Sequence, residues 1–175
     1  MLDVNIDFGD ISVSRIEKVD LPQIEMCMEL EKQFLGGIDN LDELSERFWE
    51  SYISECEFFL KVNKREKLIG ILKGRMEFKN PNEVWIWFFY LNNNYKDTDL
   101  GSKIIKELIK YFSEEYGTDI FFTRVARNDS LNISFWKEVG FETVRMVKNF
   151  YRIDNEYVDM LIMKKILTSN KFNTI

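Results

Sequence analysis

Histidine is missing from all 175 residues of this chain. Its absence removes the side chain that most often moves protons near neutral pH, the serine-protease type of triad, and any imidazole-held metal. Proton transfer is left to carboxylates, tyrosine, lysine, cysteine, backbone or water. Cysteine is nearly as scarce. Cys27 and Cys56 are the only two, at neither zinc-ligand nor disulfide-framework spacing, so we expect buried thiols in a reducing cytoplasm and no metal. No apolar run approaches the roughly 20 residues of a membrane span, and the acidic start Met1-Leu2-Asp3-Val4 lacks the basic residues of a signal peptide. Positive charge is also in deficit. A formal net charge of −6 argues against a nucleic-acid or anionic-membrane surface and suits solubility or the reception of cationic molecules.

What is present suffices for a core: 45% of residues are hydrophobic and 15% aromatic. The length predicts one domain, residues 10–167, followed by a polar tail, 168–175. Ile11 to Ile16 alternates as a first strand should. Asp20 can cap a helix beginning at Leu21, with Pro22 in its first turn and Ile24, Cys27, Met28 and Phe34 on its apolar face until Gly36-Gly37. Asn40 and Glu43 stand at capping-box spacing before a second helix, whose stripe is Leu41, Leu44, Phe48 and Tyr52. Phe58 to Val62 and Leu68 to Phe78 flank the charged turn Lys64-Arg65-Glu66 as an antiparallel hairpin. After Asn80-Pro81-Asn82, Val84 to Leu91 is apolar on both faces and reads as a central strand covered by helices. Leu100 to Tyr116 is the clearest helix, ended by Gly117. A strand at 120–125 runs parallel to its predecessor if that helix is a crossover. A helix over 131–139 closes at Gly140, and strands at about 142–152 and 157–165 meet at Asp154-Asn155. The predicted fold class is α/β, an α+β mixed sheet flanked by helices in the order β-α-α-β-β-β-α-β-α-β-β.

One loop carries most of the functional signal. Tyr90 to Lys103 leaves an aromatic strand and enters the amphipathic helix, and a Gly-containing turn before a helix N-terminus is a place to hold phosphate. Lys96-Asp97-Thr98-Asp99-Leu100-Gly101-Ser102 supplies a cation, a glycine and hydroxyls, but also two aspartates that repel an anion. A capped helix start, with Asp97 or Asp99 as the N-cap, is the alternative reading of the same residues.

This element order, the loop, and the later segment Asn128-Asp129-Ser130-Leu131-Asn132-Ile133-Ser134-Phe135-Trp136-Lys137-Glu138-Val139-Gly140-Phe141 resemble the GNAT family of acetyl-CoA-dependent N-acetyltransferases over residues 10 to 166. The family's pyrophosphate motif is Gln or Arg, two residues, Gly, one residue, then Gly or Ala. Here Lys96 keeps the cation and Gly101 the last glycine, while Asp99 replaces the internal glycine. Aspartate tolerates left-handed backbone better than most residues, so the turn geometry can persist, with coenzyme binding weakened by the added charge.

The resemblance implies acetyl-CoA as co-substrate and direct attack by a primary amine on a small cationic or amino-acid-like acceptor. The main chain of Phe89 and Leu91 would bond the pantetheine and the thioester carbonyl. Lys96, Asp97, Thr98, Asp99, Leu100, Gly101 and Ser102 would surround the pyrophosphate, with Asn132 and Trp136 beside the coenzyme. Trp136 stands where many members carry an acid tyrosine, and its indole N–H donates a hydrogen bond without being a practical acid; it packs on the coenzyme arm or in the core. Glu83 is the one carboxylate on the strand, in phase with Trp85 and Trp87, and is the candidate base. Tyr90 and Tyr151 are candidate acids. Glu31, Phe34 and Asp39 would face the acceptor, with a solvated helix surface and core packing as their bland readings. The altered loop keeps a second function open, a catalytically silent GNAT-like domain that binds acyl-CoA weakly or contacts proteins. The resemblance also admits a homodimer.

Overall fold

A computed structural model describes residues 1–29, 41–96, 98–153 and 155–167. Eight strands form one mixed sheet: β1 (Asn5–Phe8), β2 (Ile11–Arg15), β3 (Glu57–Lys64), β4 (Lys67–Glu77), β5 (Glu83–Leu91), β6 (Ile120–Ala126), β7 (Glu142–Ile153) and β8 (Glu156–Ile166). Their order across the sheet is β1-β2-β3-β4-β5-β6-β8-β7. The β5–β6 pair is parallel, as a helical crossover requires; β1–β2, β2–β3, β3–β4, β6–β8 and β7–β8 are antiparallel. The helices are α1 (Leu21–Glu29), α2 (Leu41–Ile53), the single turn α3 (Asn93–Lys96), α4 (Leu100–Tyr116) and α5 (Ser130–Glu138). Among the described residues no helix is long and apolar enough to cross a membrane. Contacts gather the chain into two compact units, Met1–Met76 with Trp87–Gly101, and Glu77–Ile86 with Ser102–Ile175.

In the first unit, Ile16, Leu21, Ile24, Leu44, Phe48, Phe59, Leu68, Ile71 and Tyr90 form a core cluster. Apolar positions of α1 and α2 thus meet Phe59 of β3 and Leu68 and Ile71 of β4, burying surface worth about 25 cal/mol per Å². Four sequence expectations change here. The strand β1 was not predicted, because Asn5 and Asp7 have poor strand propensity; pairing with β2 across Gly9, at φ +58°, fixes it. Asp20 does not cap α1. It lies in a 3-10 turn, Lys18–Asp20, where its carboxylate accepts the Glu17 N–H at 2.7 Å and takes both bonds of Lys61 Nζ at 2.9 and 2.8 Å. Tyr52 is exposed, and Ser51 is buried in its stead, donating to Glu57 Oε2 at 2.9 Å. Cys56 is half-buried rather than buried. Asn40, Gly36 and Gly37 lie outside the described residues.

In the second unit, Ile104, Ile105, Leu108, Ile109 and Phe112 form the buried stripe of α4. The helix stops at Gly117, whose φ of +61° only glycine adopts cheaply, and whose N–H closes on Ser113 O at 3.1 Å. Val84, Ile86, Phe121, Thr123, Val125 and Met163 are buried. On the other phase of the strands, Trp85 stacks on its ladder partner Phe122, centroids 4.4 Å apart, and Lys164 Nζ lies 5.4 Å from that ring. This aromatic row leaves Trp85 and Trp87 half-buried, so β5 is interior in the sheet without being sealed on both faces. The edge strand β7 is largely exposed and carries register irregularities against β8.

Candidate active site

The β5–β6 ladder holds four pairs, Glu83↔Ile120 to Ile86↔Thr123, while β5 itself runs on to Leu91. Parallel pairing therefore covers only the first part of the strand. At its end the chain is held back onto β4: the Asn92 N–H donates to Ile69 O at 2.7 Å.

From there the loop folds on itself. Asn92 accepts the Asn94 N–H on its side chain at 3.1 Å and the Tyr95 N–H on its carbonyl at 2.8 Å, which starts α3. The sequence signal for this turn is an Asx residue before a polar tetrad. Thr98 Oγ1 donates to Tyr95 O at 2.7 Å and accepts the N–H of Leu100 at 3.3 Å. A helix start needs such an acceptor, and here the hydroxyl of Thr98 provides one. Asp99 is exposed, Gly101 is buried in the first turn of α4, Ser102 is half-buried and Lys103 is exposed. Lys96 Nζ sits 5.7 Å from the centroid of Tyr90, a cation–π distance that ties the loop's first cation to the end of β5. Lys96 thus precedes the positive end of the 17-residue helix α4, and Lys103 lies in that helix's own first turn. Asp97 lies outside the described residues.

The other sequence-selected residues scatter. Glu83 is the first residue of β5, at the end away from the loop, where Lys79 Nζ lies 3.1 Å from its carboxylate and also pairs with Glu77. Hydrogen bonds that Lys79 donates to Glu77 and then to Glu83 push its pKa up. That network ties Glu83 to the Lys79 turn. Tyr90 is only 7% exposed, within the core cluster of its unit. Phe89 is half-buried and Leu91 buried. Trp136 belongs to the core: it is 2% exposed, with Phe135 and Phe141 ring centroids 5.2 and 4.9 Å away. Of the two placements open to it from the sequence, the coenzyme arm or the core, its burial is that of a core residue. Asn132 is half-buried, its N–H bonded at 3.0 Å to Asp129, the N-cap of α5.

Tyr151 sits on β7 opposite Val158, just after a register shift that spans Val147 to Tyr151 and includes Asn149 at φ +52°. Bulges of this kind re-aim side chains. Burial raises the phenol's pKa, with Arg124 pulling the other way, so Tyr151 stays protonated at neutral pH. The bulge is pinned by Asp159, which accepts the Asn149 N–H at 3.0 Å and pairs with Arg127 at 3.1 Å. Glu31, Phe34 and Asp39 lie outside the described residues.

Comparison with known proteins supplies the rest. The family model described as an acetyltransferase (GNAT) domain matches residues 13–162. No curated protein matches the chain by sequence. Among solved structures, the chain is similar to the Salmonella typhimurium acetyltransferase that modifies the N-terminal serine of ribosomal protein L7/L12, at TM-score 0.82 and 11% identity over 92% of this chain and 97% of that one. It is also similar to the ribosomal-protein-S5-alanine acetyltransferase of Vibrio fischeri, at TM-score 0.78 and 13% identity over 98% and 100%. A third likeness is the microcin C7 self-immunity acetyltransferase MccE in complex with acetyl-CoA and AMP, at TM-score 0.79 and 13% identity over 91% and 94%. At these identities the structures speak for the fold, and the family match speaks for the chemistry. The chain belongs to the GNAT family and is an acetyl-CoA-dependent acetyltransferase.

Proposed function

We propose that this acetyltransferase acts on a primary amine, the α-amine of a protein N-terminus, by direct attack on the thioester. The observation that carries the proposal is the end of β5. Its parallel ladder stops after four pairs, the strand continues to Leu91, and the chain then turns into the N-terminus of a long helix. An extended pantetheine arm can lie along such a strand, bonding to main-chain groups of Phe89 and Leu91, with a backbone N–H polarising the thioester oxygen. The donor set suits an anionic coenzyme. Lys96 and Lys103 supply cations, Thr98 and Ser102 hydroxyls, and Gly101 and its helix turn outward N–H groups. Asp97 and Asp99 subtract from this, leaving residues 96–103 with two lysines against two aspartates.

When bound, acetyl-CoA supplies an acyl carbon on a thiol leaving group. The amine nitrogen bonds to that carbon as the carbon–sulfur bond breaks. One proton leaves the nitrogen for water or a base, and one reaches the sulfur. Tyr151 remains the sequence candidate for the second proton, its phenol protonated at neutral pH. Tyr90 serves the loop through Lys96, and we assign Glu83 no proton. A cationic acceptor calls for carboxylates, and Glu31 and Asp39, with Phe34 as an apolar wall, are the sequence candidates for that role. The activities of the L7/L12 and S5 relatives, whose acceptors are an N-terminal serine and an alanine, favour a protein terminus over a free polyamine.

Thermal shift and calorimetry with acetyl-CoA, using desulfo-CoA and ATP as controls, test the coenzyme half. Saturation at about 100 times the dissociation constant stabilises a fold by about 2.7 kcal/mol. Turnover is then compared on peptides with free and blocked N-terminal serine or alanine, and on polyamines. Acetylation of free termini alone supports the proposal, and acetylation of polyamines alone replaces it with a small-molecule acceptor. Absence of acetyl-CoA binding would return the chain to a silent domain.

A further inference from the structure

We propose that Gly70, on the neighbouring strand β4, is a positioning residue that sets where the coenzyme-binding end of β5 lies. The inference rests on the reading that Phe89 and Leu91 bind coenzyme through their main chain. A Cβ added to Gly70 would stand 2.6 Å from the carbonyl oxygen of Tyr90, 3.2 Å from Leu91 Cδ1 and 3.5 Å from Leu91 Cα. The first distance is to backbone, which cannot swing aside as a flexible side chain does. Any other residue at 70 therefore drives the Tyr90–Leu91 main chain away from β4.

The register explains why the approach is so close. Val62 pairs with Gly70, but the next residue, Asn63, pairs with Leu68, so Ile69 is the extra residue of a bulge. A bulge bends its strand and re-aims the groups beside it. Here the re-aimed carbonyl of Ile69 receives the Asn92 N–H at 2.7 Å. Gly70 thus fixes Leu91 from below while Ile69 fixes Asn92, the two residues at which β5 passes into the loop. Packing alone does not call for glycine. The flanking residues Leu68, Ile69, Ile71 and Leu72 are apolar and buried, and a mid-strand glycine costs stability unless a close approach demands it.

The test compares Gly70→Ala with Val62→Ala, which truncates the buried partner of Gly70 on β3 without adding an atom at position 70. Acetyl-CoA affinity is read by calorimetry, and the amide resonances of Leu91 and Asn92 by nitrogen-15 NMR without coenzyme. Gly70→Ala should shift both amides and weaken acetyl-CoA about tenfold, since small misplacements at a binding main chain are costly. Val62→Ala should lower the melting temperature while leaving affinity within about twofold. Should Gly70→Ala fail to fold, titrating the wild type with acetyl-CoA keeps the question open to experiment: the amides of Ile69 and Gly70 should move with those of Leu91 and Asn92. Unmoved Ile69 and Gly70 amides, or a folded Gly70→Ala protein with wild-type affinity, would overturn this inference alone. A wild type that binds no acetyl-CoA would overturn the coenzyme reading along with it.

Discussion

The hydroxyl of Thr98 accepts the backbone N–H of Leu100 at 3.3 Å and so supports the first turn of α4. The same oxygen donates to the carbonyl of Tyr95 at 2.7 Å, joining the short turn after β5 to the long helix. Thr98→Ala removes both bonds. The expected loss is about 1 kcal/mol of stability, as for other helix-start hydroxyls, measured by urea denaturation. Thr98→Ser should recover most of it. If Thr98→Ala is as stable as the wild type, the two bonds are not what fixes the loop.

Charge in the loop is predicted to control affinity more than stability. Asp99 and Lys96 are both exposed at the surface, where substitution costs little burial. Asp99→Gly should tighten acetyl-CoA binding and Lys96→Ala should weaken it, each by about fivefold at low salt and less at high salt. Calorimetry across a salt series reads both. Flat affinity in both variants would remove the pyrophosphate from this loop.

Trp136 gives the opposite expectation. With 2% exposure and the rings of Phe135 and Phe141 against it, Trp136→Ala should cost about 3–5 kcal/mol. Trp136→Phe should cost less and leave acetyl-CoA affinity within about twofold. A tenfold loss of affinity in a folded Trp136→Phe protein would put the indole back beside the coenzyme.

Asp159 should govern acid stability around the β7 bulge. The Asn149 N–H, and then Arg127, hold its carboxyl below the ordinary aspartate pKa. A depressed folded pKa contributes stability above the unfolded value of about 3.9, which is lost as pH falls through the lower folded value. The melting-temperature gap between wild type and Asp159→Asn should therefore be constant above about pH 5 and shrink below about pH 4. A gap that persists unchanged into strong acid would mean that the ionised carboxylate is not what stabilises the bulge.

Long periodic segments were legible from sequence because burial there follows chain spacing. The stripe Ile104, Ile105, Leu108, Ile109 and Phe112 predicts both α4 and its buried face, and Gly117 marks its end. The parallel β5–β6 pairing followed from the crossover alone. The site was less legible. Lys96 and Gly101 could be picked out by type, but the bonds of Asn92, Tyr95 and Thr98 depend on which hydroxyl and carbonyl meet. Trp136 could be assigned to coenzyme or core with the same letters, and burial against Phe141 decided it.

The sequence by itself determined the fold class, the family and the absence of imidazole chemistry, since these depend on residue type and on periodicities of about 2 and 3.6. Tertiary structure alone decided where β6 stops pairing with β5, that Asp20 binds Lys61 instead of capping α1, and that Gly70 lies beneath the Tyr90 carbonyl. Each of those depends on contacts between residues far apart in the chain. Local propensity carries no information about such distances, and packing sets them to within a fraction of an ångström.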